Sequence, residues 1–172
     1  MKKKFIVLSL GLLILFAFVA PVIAGPTNGQ KVPVTLKFTV IKGAPGERWD
    51  TNGNTSQRRD WRINYTVYLS IDGAAPIVGK SVDVRDAMVF RGEKVGMEVY
   101  RQDTVMSFPT EGGTFEGNEM LLLTDVNIGP PLTFYLKAHA VFHGTGAFEG
   151  QTINADYDGP QGGVWTGYLL KP

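Results

Sequence analysis

Two glutamates of the sequence, Glu116 and Glu149, stand in two copies of one phrase and are candidates for acid–base chemistry. Residues 113–118 read Gly-Thr-Phe-Glu-Gly-Asn, and residues 146–151 read Gly-Ala-Phe-Glu-Gly-Gln. If the two copies pair on adjacent strands, the carboxyl groups lie within about 5 Å of each other, the spacing that retaining glycosidases use. The alternative is that each glutamate points to solvent, because it follows a phenylalanine expected to face inward. We name both as catalytic candidates and expect the solvent-facing arrangement.

The two histidines, His139 and His143, lie four residues apart in a segment that alternates like a strand. Along a strand that spacing is about 13 Å, whereas zinc ligands lie about 2 Å from the metal. The pair therefore cannot share one metal ion, and we expect both rings on a solvated face. The chain has no cysteine, which excludes disulfides, thiolate metal sites and a thiol nucleophile. Because the sequence also lacks a nucleophile elbow and a phosphate-binding loop, it predicts neither a metal ion nor another cofactor.

Glycines bracket the Phe-Glu pair in both copies of the phrase, and we interpret them as structural. They are Gly113, Gly117, Gly146 and Gly150. Glycine within a strand pattern marks a bulge, a bend or a close backbone approach. The apolar residues change from an even number at Phe148 to odd numbers from Ile153 onward, which predicts a β-bulge near Gly150. Repeated glycine kinks turn the corners of a small closed barrel.

Residues 1–24 have the pattern of a secretory signal peptide. Three lysines precede the apolar run 5–20, and small residues lead to the expected cleavage between Ala24 and Gly25. The alternative is an uncleaved membrane anchor, since the run is nearly long enough to span a bilayer. We expect membrane contact only through this segment, before cleavage. Removal of its three lysines changes the formal net charge from +1 to −2, which argues against nucleic acid as a partner.

The mature chain, residues 25–172, is expected to form a single all-β domain. Apolar and polar residues alternate over 32–40, 61–71 and 132–142, which is the pattern of half-buried strands. Shorter apolar segments raise the expected total to about eight strands, and no segment after residue 24 predicts a helix. Short strands at regular spacing are typical of a sandwich or a barrel. The glycine kinks favour a single closed antiparallel β-barrel.

Residues 42–60 are predicted as a long polar loop, with Trp49 packed against the domain. A glycosylation sequon at Asn54 lies in this loop, and a second sequon at Asn64 lies inside a predicted strand. Both asparagines are glycosylation candidates, and the loop position favours Asn54.

Residues 144–150, Gly-Thr-Gly-Ala-Phe-Glu-Gly, resemble a turn-and-strand motif of the allene oxide cyclase and dirigent group of β-barrels. Residues 134–137, Phe-Tyr-Leu-Lys, resemble the neighbouring strand of that group, so the resemblance covers the last third of the chain. It implies an eight-stranded antiparallel barrel with an apolar lumen, in which members cyclise fatty-acid epoxides or steer phenoxy-radical coupling. None of the group's functional residues matches a position here, and the pocket cysteine of the cyclases has no counterpart.

Three functions fit these observations. The first is a secreted or cell-envelope protein that binds a small hydrophobic ligand, or a partner, without catalysis. The second is an isomerase or lyase that acts on a hydrophobic substrate in the barrel lumen. The third is a cell-surface structural subunit that self-assembles. The missing catalytic motif favours the first, and ligand binding without turnover would separate it from the second.

Overall fold

The computed structural model describes residues 29–52, 55–91, 96–127, 133–160 and 162–172, and these ranges are all-β as the sequence predicts. The strands are β1 Gln30–Ala44, β2 Glu47–Asn52, β3 Thr55–Ile71, β4 Ile77–Arg91, β5 Gly96–Phe108, β6 Gly113–Asn127, β7 Thr133–Gly146, β8 Thr152–Pro160 and β9 Trp165–Lys171. No helix occurs in these ranges, and so none that could cross a membrane.

The nine strands form one antiparallel sheet that closes into a ring. From β3 to β9 each strand pairs with the next one along the chain. β1 then pairs with β9 through residues 30–36 and with β3 through residues 34–44, which completes the ring. β2 pairs with β3 beyond the end of β1, so that Ala44 lies opposite Arg62 and Glu47 opposite Arg59. The count therefore exceeds the expected eight because Pro45, which has no N–H to donate, splits one line of pairing into two strands.

The predicted loop over residues 42–60 is wrong, since most of this segment belongs to β1, β2 and β3. The polar side chains of this segment show no apolar alternation, which is the signal used to predict strands. The segment nevertheless forms strands because pairing with β3 is made by backbone groups and requires no apolar face. Trp49 lies on β2 and is half-buried, and the Arg59 guanidinium lies 5.2 Å from the centre of its ring. The tryptophan therefore packs on the neighbouring strand rather than in a loop.

The predicted bulge near Gly150 is also wrong, because the chain turns there. β7 ends at Gly146 and β8 begins at Thr152, and their register runs without a shift from Tyr135 opposite Pro160 to His143 opposite Thr152. Residues 147–150 form the turn, which accounts for the change of phase in the apolar residues. Gly150 has a φ of 77°, in the left-handed region that favours glycine.

One end of the ring is filled by phenylalanine side chains. Phe115 on β6 stacks on Phe148 from the turn with ring centres 4.6 Å apart, and Phe108 on β5 packs edge-on against Phe148 at 5.8 Å. The strands approach closely at this end, since a Cβ on Gly117 would lie 1.9 Å from the carbonyl oxygen of Val141. Gly113 likewise leaves room for the Phe148 ring, which a Cβ would meet at 2.5 Å. The repeated phrase thus closes one end of the sheet.

Candidate functional site

The other half of the ring encloses a cavity of about 420 Å³. Aromatic side chains from five strands dominate its wall: Phe38, Trp61, Tyr65, Tyr100, Tyr157 and Trp165. Leu121 and Leu136 add aliphatic surface from β6 and β7. A volume of this size lies within the range of small-molecule sites, which combine apolar walls with a few placed polar groups.

The polar groups of the cavity come from the inward faces of three neighbouring strands. Asp83 on β4 lies opposite Thr104 on β5, and Gln102 on β5 lies opposite Glu119 on β6. Side chains alternate between the two faces of a strand, so these four residues lie on the same inward face as the phenylalanines that fill the other end of the ring. Each of the four side chains is at most 2% exposed. They form a buried polar cluster, which we call the polar floor.

Hydrogen bonds within the polar floor join the two carboxyl groups through Gln102 and Thr104. The amide nitrogen Nε2 of Gln102 donates to Asp83 Oδ2 at 3.1 Å and to Glu119 Oε2 at 2.5 Å. Thr104 Oγ1 lies 2.8 Å from Glu119 Oε1 and 3.2 Å from Asp83 Oδ1. The Ser81 hydroxyl also donates to Asp83 Oδ1, at 2.9 Å. The two acids are therefore held at fixed positions by neutral side chains.

Arg85 supplies the cation of this site. Its Nη2 lies 3.3 Å from Asp83 Oδ2 and donates to the Tyr65 hydroxyl at 2.5 Å. Its guanidinium also lies between 5.6 and 5.8 Å from the ring centres of Trp61, Tyr65 and Tyr100. Aromatic faces stabilise a cation that has lost part of its water shell. Arg85 is thus held between Asp83 and an aromatic enclosure.

Burial raises the pKa of both carboxyl groups in the polar floor. The desolvation of Glu119, with the nearby Asp83 charge as a second cause, raises the pKa of Glu119 to about 8. Burial also raises the pKa of Asp83, although Arg85 and the Ser81 hydrogen bond act against that shift. Among the described residues Arg85 forms an ion pair with Asp83 and none forms one with Glu119, so the cation favours the charge on Asp83 and the proton on Glu119. Burial raises the pKa of Tyr65 as well, so this phenol stays neutral.

The polar floor therefore presents two carboxyl groups to one apolar cavity, of which Glu119 is favoured as the acid and Asp83 as the carboxylate. The acid can donate a proton near neutral pH, and the carboxylate can accept one. Perturbed carboxyl groups in a cleft are a common mark of functional sites. The arrangement can bind a polar group of a ligand, and it can move a proton to or from that group.

The glutamates and histidines singled out from the sequence lie elsewhere. Glu116 is exposed on β6 opposite His143, and Glu149 is exposed in the turn after β7. In the ladder between β6 and β7 the two copies of the phrase pair only at Gly113 and Gly146, so the two glutamates are not paired on adjacent strands, and both face solvent as expected.

The histidines make single surface contacts in the structure. His139 Nδ1 lies 2.7 Å from Asp156 Oδ1, and His143 Nδ1 lies 3.2 Å from the Thr152 hydroxyl. Both rings are exposed, as expected. In the described part of the chain no three His, Asp or Glu side chains are placed to hold a metal ion.

The remaining candidate positions concern processing and modification. Asn64 is half-buried on β3. Asn54, Ala24 and Gly25 lie outside the described residues, as does the whole predicted signal peptide.

Sequence reasoning missed the polar floor because its strands carry apolar residues on the outside. Asp83 lies between Val82 and Val84, and alternation alone favours the valines as the inward pair. A signal was present on β5, where Met106 and Phe108 are core residues. Counting back in steps of two from them places Thr104 and Gln102 inward.

No family model, curated protein or solved structure matches this chain.

Proposed function

We propose that the chain is an exported β-barrel protein that binds one small, largely apolar molecule in the cavity. The observation that carries this proposal is the contrast between the two halves of one ring. Phenylalanine side chains fill one half, whereas the other half keeps about 420 Å³ of space behind an aromatic wall. Protein interiors are normally close-packed, and unfilled volume costs stability. A ligand that fills the space accounts for its retention.

Two features of the sequence support the rest of the proposal. The segment before Ala24 has the pattern of a cleaved export signal, which supports a secreted or cell-envelope location. The motif at residues 144–150 resembles the allene oxide cyclase and dirigent group, whose barrels have an apolar lumen. The closed ring of strands is compatible with such a barrel.

The test is to identify what the mature chain carries. The protein is purified after export and extracted with organic solvent, and the extract is analysed by mass spectrometry. We expect one compound, or one homologous series, in near-stoichiometric amount from wild type and in a much lower amount from a variant with a filled cavity. An extract without such a compound, from a protein that also fails to bind added apolar probes, would refute the proposal.

A second candidate function is an isomerase or lyase that acts on the bound molecule. The observation that favours it is the pair of buried carboxyl groups, Glu119 and Asp83, which Thr104 joins, with the pKa of Glu119 raised to about 8 by burial. Such a pair can protonate a substrate at one atom and accept a proton from another, which is what isomerisation and elimination require.

The extracted compound also tests this second function. It is incubated with protein stripped of ligand, and the products are followed by mass spectrometry. Conversion by wild type that is lost in Glu119→Gln, while binding remains, supports an enzyme. Binding without conversion by wild type leaves the binding function alone.

A further inference from the structure

The outer surface of the ring has an apolar side and a polar side. On β1 the exposed outward residues include Lys31, Thr35, Lys37 and Thr39. The outward residues of β4, β5 and β6, by contrast, include five large apolar side chains that are between 36% and 61% exposed: Val82, Met88, Val99, Val105 and Met120. We call this outward side of β4, β5 and β6 the apolar face. An apolar surface that continues over three strands is typical of an interaction site.

Charged residues of both signs lie within the apolar face. Asp86 on β4 and Arg101 on β5 are cross-strand neighbours, and both are exposed. Among the described residues Arg101 nevertheless forms no ion pair. Asp103 and Glu116 add two more exposed acids, which anionic lipids would repel. The apolar face therefore fits a protein surface that offers apolar side chains and both charges, rather than a membrane.

We propose that the apolar face binds a second copy of this chain, around a two-fold axis that runs between β4 and β5 and parallel to them. This inference goes beyond the proposed ligand binding, which concerns the inside of the ring. In a two-fold dimer both copies use the same surface, so that each contact occurs twice. With the axis in this position, β4 of one copy lies over β5 of the other.

The strand register gives the contacts across this axis. A residue of β4 faces, in the second copy, the residue of β5 that lies opposite it in its own ladder. Packed sheets cross at about 30°, so the pairs nearest the crossing point keep this arrangement best. The facing pairs are Val82 with Val105, Asp86 with Arg101, and Met88 with Val99.

Asp103 also has a partner in this arrangement. It faces Val84 of the second copy, and Arg62 of that copy is the neighbour of Val84 across the ladder between β3 and β4. Both Asp103 and Arg62 are exposed. They are offset by about one strand spacing, about 4.8 Å, which a long arginine side chain can bridge. The second copy thus supplies a base for both acids that face it from β4 and β5.

Other positions of the axis bring unfavourable pairs together. An axis along β5 would place Arg101 over Arg101 of the second copy, and an axis along β4 would place Asp86 over Asp86. An axis between β5 and β6 would place Val105 over Glu116 and Arg101 over Met120. Of these arrangements, only the axis between β4 and β5 joins apolar with apolar and acid with base.

The apolar face and its flanking strand β3 are large enough for a stable dimer. Four strands about 4.8 Å apart give a width of about 19 Å, and residues 80–90 of β4 span about 35 Å. Each copy can therefore bury up to about 650 Å², close to the roughly 800 Å² per partner of a standard complex.

The experiment is sedimentation velocity of the mature chain and of charge-reversal variants over a range of concentrations. We expect wild type to sediment as a dimer that dissociates on dilution. Asp86→Arg brings two bases together at each ion-pair position, and Arg101→Asp brings two acids together. Each variant should weaken dimerisation roughly tenfold for each of the two contacts, and so about a hundredfold. Reversal is used because removing one charge from an exposed ion pair has little effect.

Mixing the two variants separates a direct charge contact from a loss of folding. In the mixed pair each facing position again joins an acid with a base. Asp86→Arg and Arg101→Asp, each monomeric alone, should therefore form a dimer with one copy of each. The double variant Asp86→Arg/Arg101→Asp should dimerise by itself like wild type. Misfolded single variants would show neither result.

A charge reversal outside the apolar face is the control. Lys37→Glu, on the polar outer side of β1, should sediment like wild type. Wild type that stays monomeric at every concentration would overturn the inference, also if it then co-sediments with phosphatidylcholine vesicles. A dimer that persists in both single variants, or single variants that do not combine on mixing, would refute the assigned contacts. None of these results decides ligand binding inside the ring, which is measured with a probe.

Discussion

Asp83 and Glu119 share one hydroxyl group although β5 separates the strands that carry them. Thr104 Oγ1 lies 3.2 Å from Asp83 Oδ1 and 2.8 Å from Glu119 Oε1, and a hydroxyl has one hydrogen to donate. When Glu119 is protonated, its own hydrogen can go to Thr104, which leaves the Thr104 hydrogen for Asp83. The hydrogen bonds are complete only while the pair holds a proton, and this explains why the state of Glu119 should affect stability.

The first prediction concerns the pH dependence of stability. Burial raises the pKa of Glu119 from its ordinary 4.5 to about 8 in the folded protein, so between these values the folded state binds more protons than the unfolded state. The free energy of unfolding contributed by this group is therefore full below about pH 4.5 and is lost as pH rises to about 8. The slope is at most about 1.4 kcal/mol per pH unit for one proton.

Urea unfolding of wild type and Glu119→Gln across this pH range checks the prediction. The amide cannot ionise, so the variant should gain stability relative to wild type as the pH rises. Asp83, whose pKa burial also raises, interacts with Glu119, so the difference between the two proteins reports the titration of the pair. Parallel curves for the two proteins would show that Glu119 does not change its charge in this range.

The second prediction concerns Arg85, the cation beside Asp83. Arg85→Met keeps much of the side-chain volume but leaves a buried carboxylate without its partner, which costs about 3–5 kcal/mol in comparable pairs. The double variant Arg85→Met/Asp83→Asn should recover part of this loss, because the unpaired charge is gone. Arg101→Met, on the exposed face of β5, serves as the control and should stay close to wild type. Chemical unfolding measures all three, and an Arg85→Met protein as stable as wild type would contradict the assigned ion pair.

The third prediction concerns Gly150 in the turn between β7 and β8. Its φ of 77° costs a residue with a side chain about 1–3 kcal/mol, and a β-branched residue is at the upper end. Gly150→Val should therefore lower the melting temperature clearly. Glu149→Gln, at the exposed neighbouring position, should leave it nearly unchanged. Equal melting of Gly150→Val and wild type would mean that the turn accepts an ordinary backbone conformation.

The fourth prediction concerns export. The lysines at residues 2–4, the apolar run and the small residues before Gly25 predict cleavage after Ala24. Intact-mass analysis of the protein from culture medium or cell envelope should give a chain that starts at Gly25. A membrane-bound chain that retains residues 1–24 would instead support the anchored alternative.

Much of the fold could be predicted because alternation and turn chemistry are local. The inward phase of β3 follows from Ile63, Tyr65 and Val67, and all three are buried. Residues 47–52 could not be assigned as a strand, since the pairing partner that makes them β2 is a property of the backbone and not of their side chains. The bulge prediction at Gly150 was wrong because a turn and a bulge change the phase of the apolar residues in the same way.

The site was harder to predict because its hydrogen bonds join side chains from three different strands. Burying a carboxyl group without polar partners costs free energy of folding. From the sequence alone Asp83 and Glu119 are therefore expected on the surface, because the partners that allow their burial are not known. Gln102 and Thr104 become neighbours of both acids only through the register of β4, β5 and β6. In this part of β4 the usual rule that apolar side chains face inward does not hold: Val82 is 37% exposed, whereas its neighbour Asp83 is buried.

The central claim is that the cavity inside the ring binds an apolar ligand. The most direct test compares the binding of a neutral apolar probe to wild type and to a variant whose cavity is filled by a larger side chain. Leu121 lines the cavity on β6, whereas Leu122 lies on the outer face of the same strand. The fluorescence of N-phenyl-1-naphthylamine should rise on titration into wild type and Leu122→Trp, with one site per chain. It should stay near the buffer value with Leu121→Trp, provided circular dichroism shows that both variants fold. Equal binding to Leu121→Trp and wild type, or no binding to either, would contradict a ligand site inside the ring.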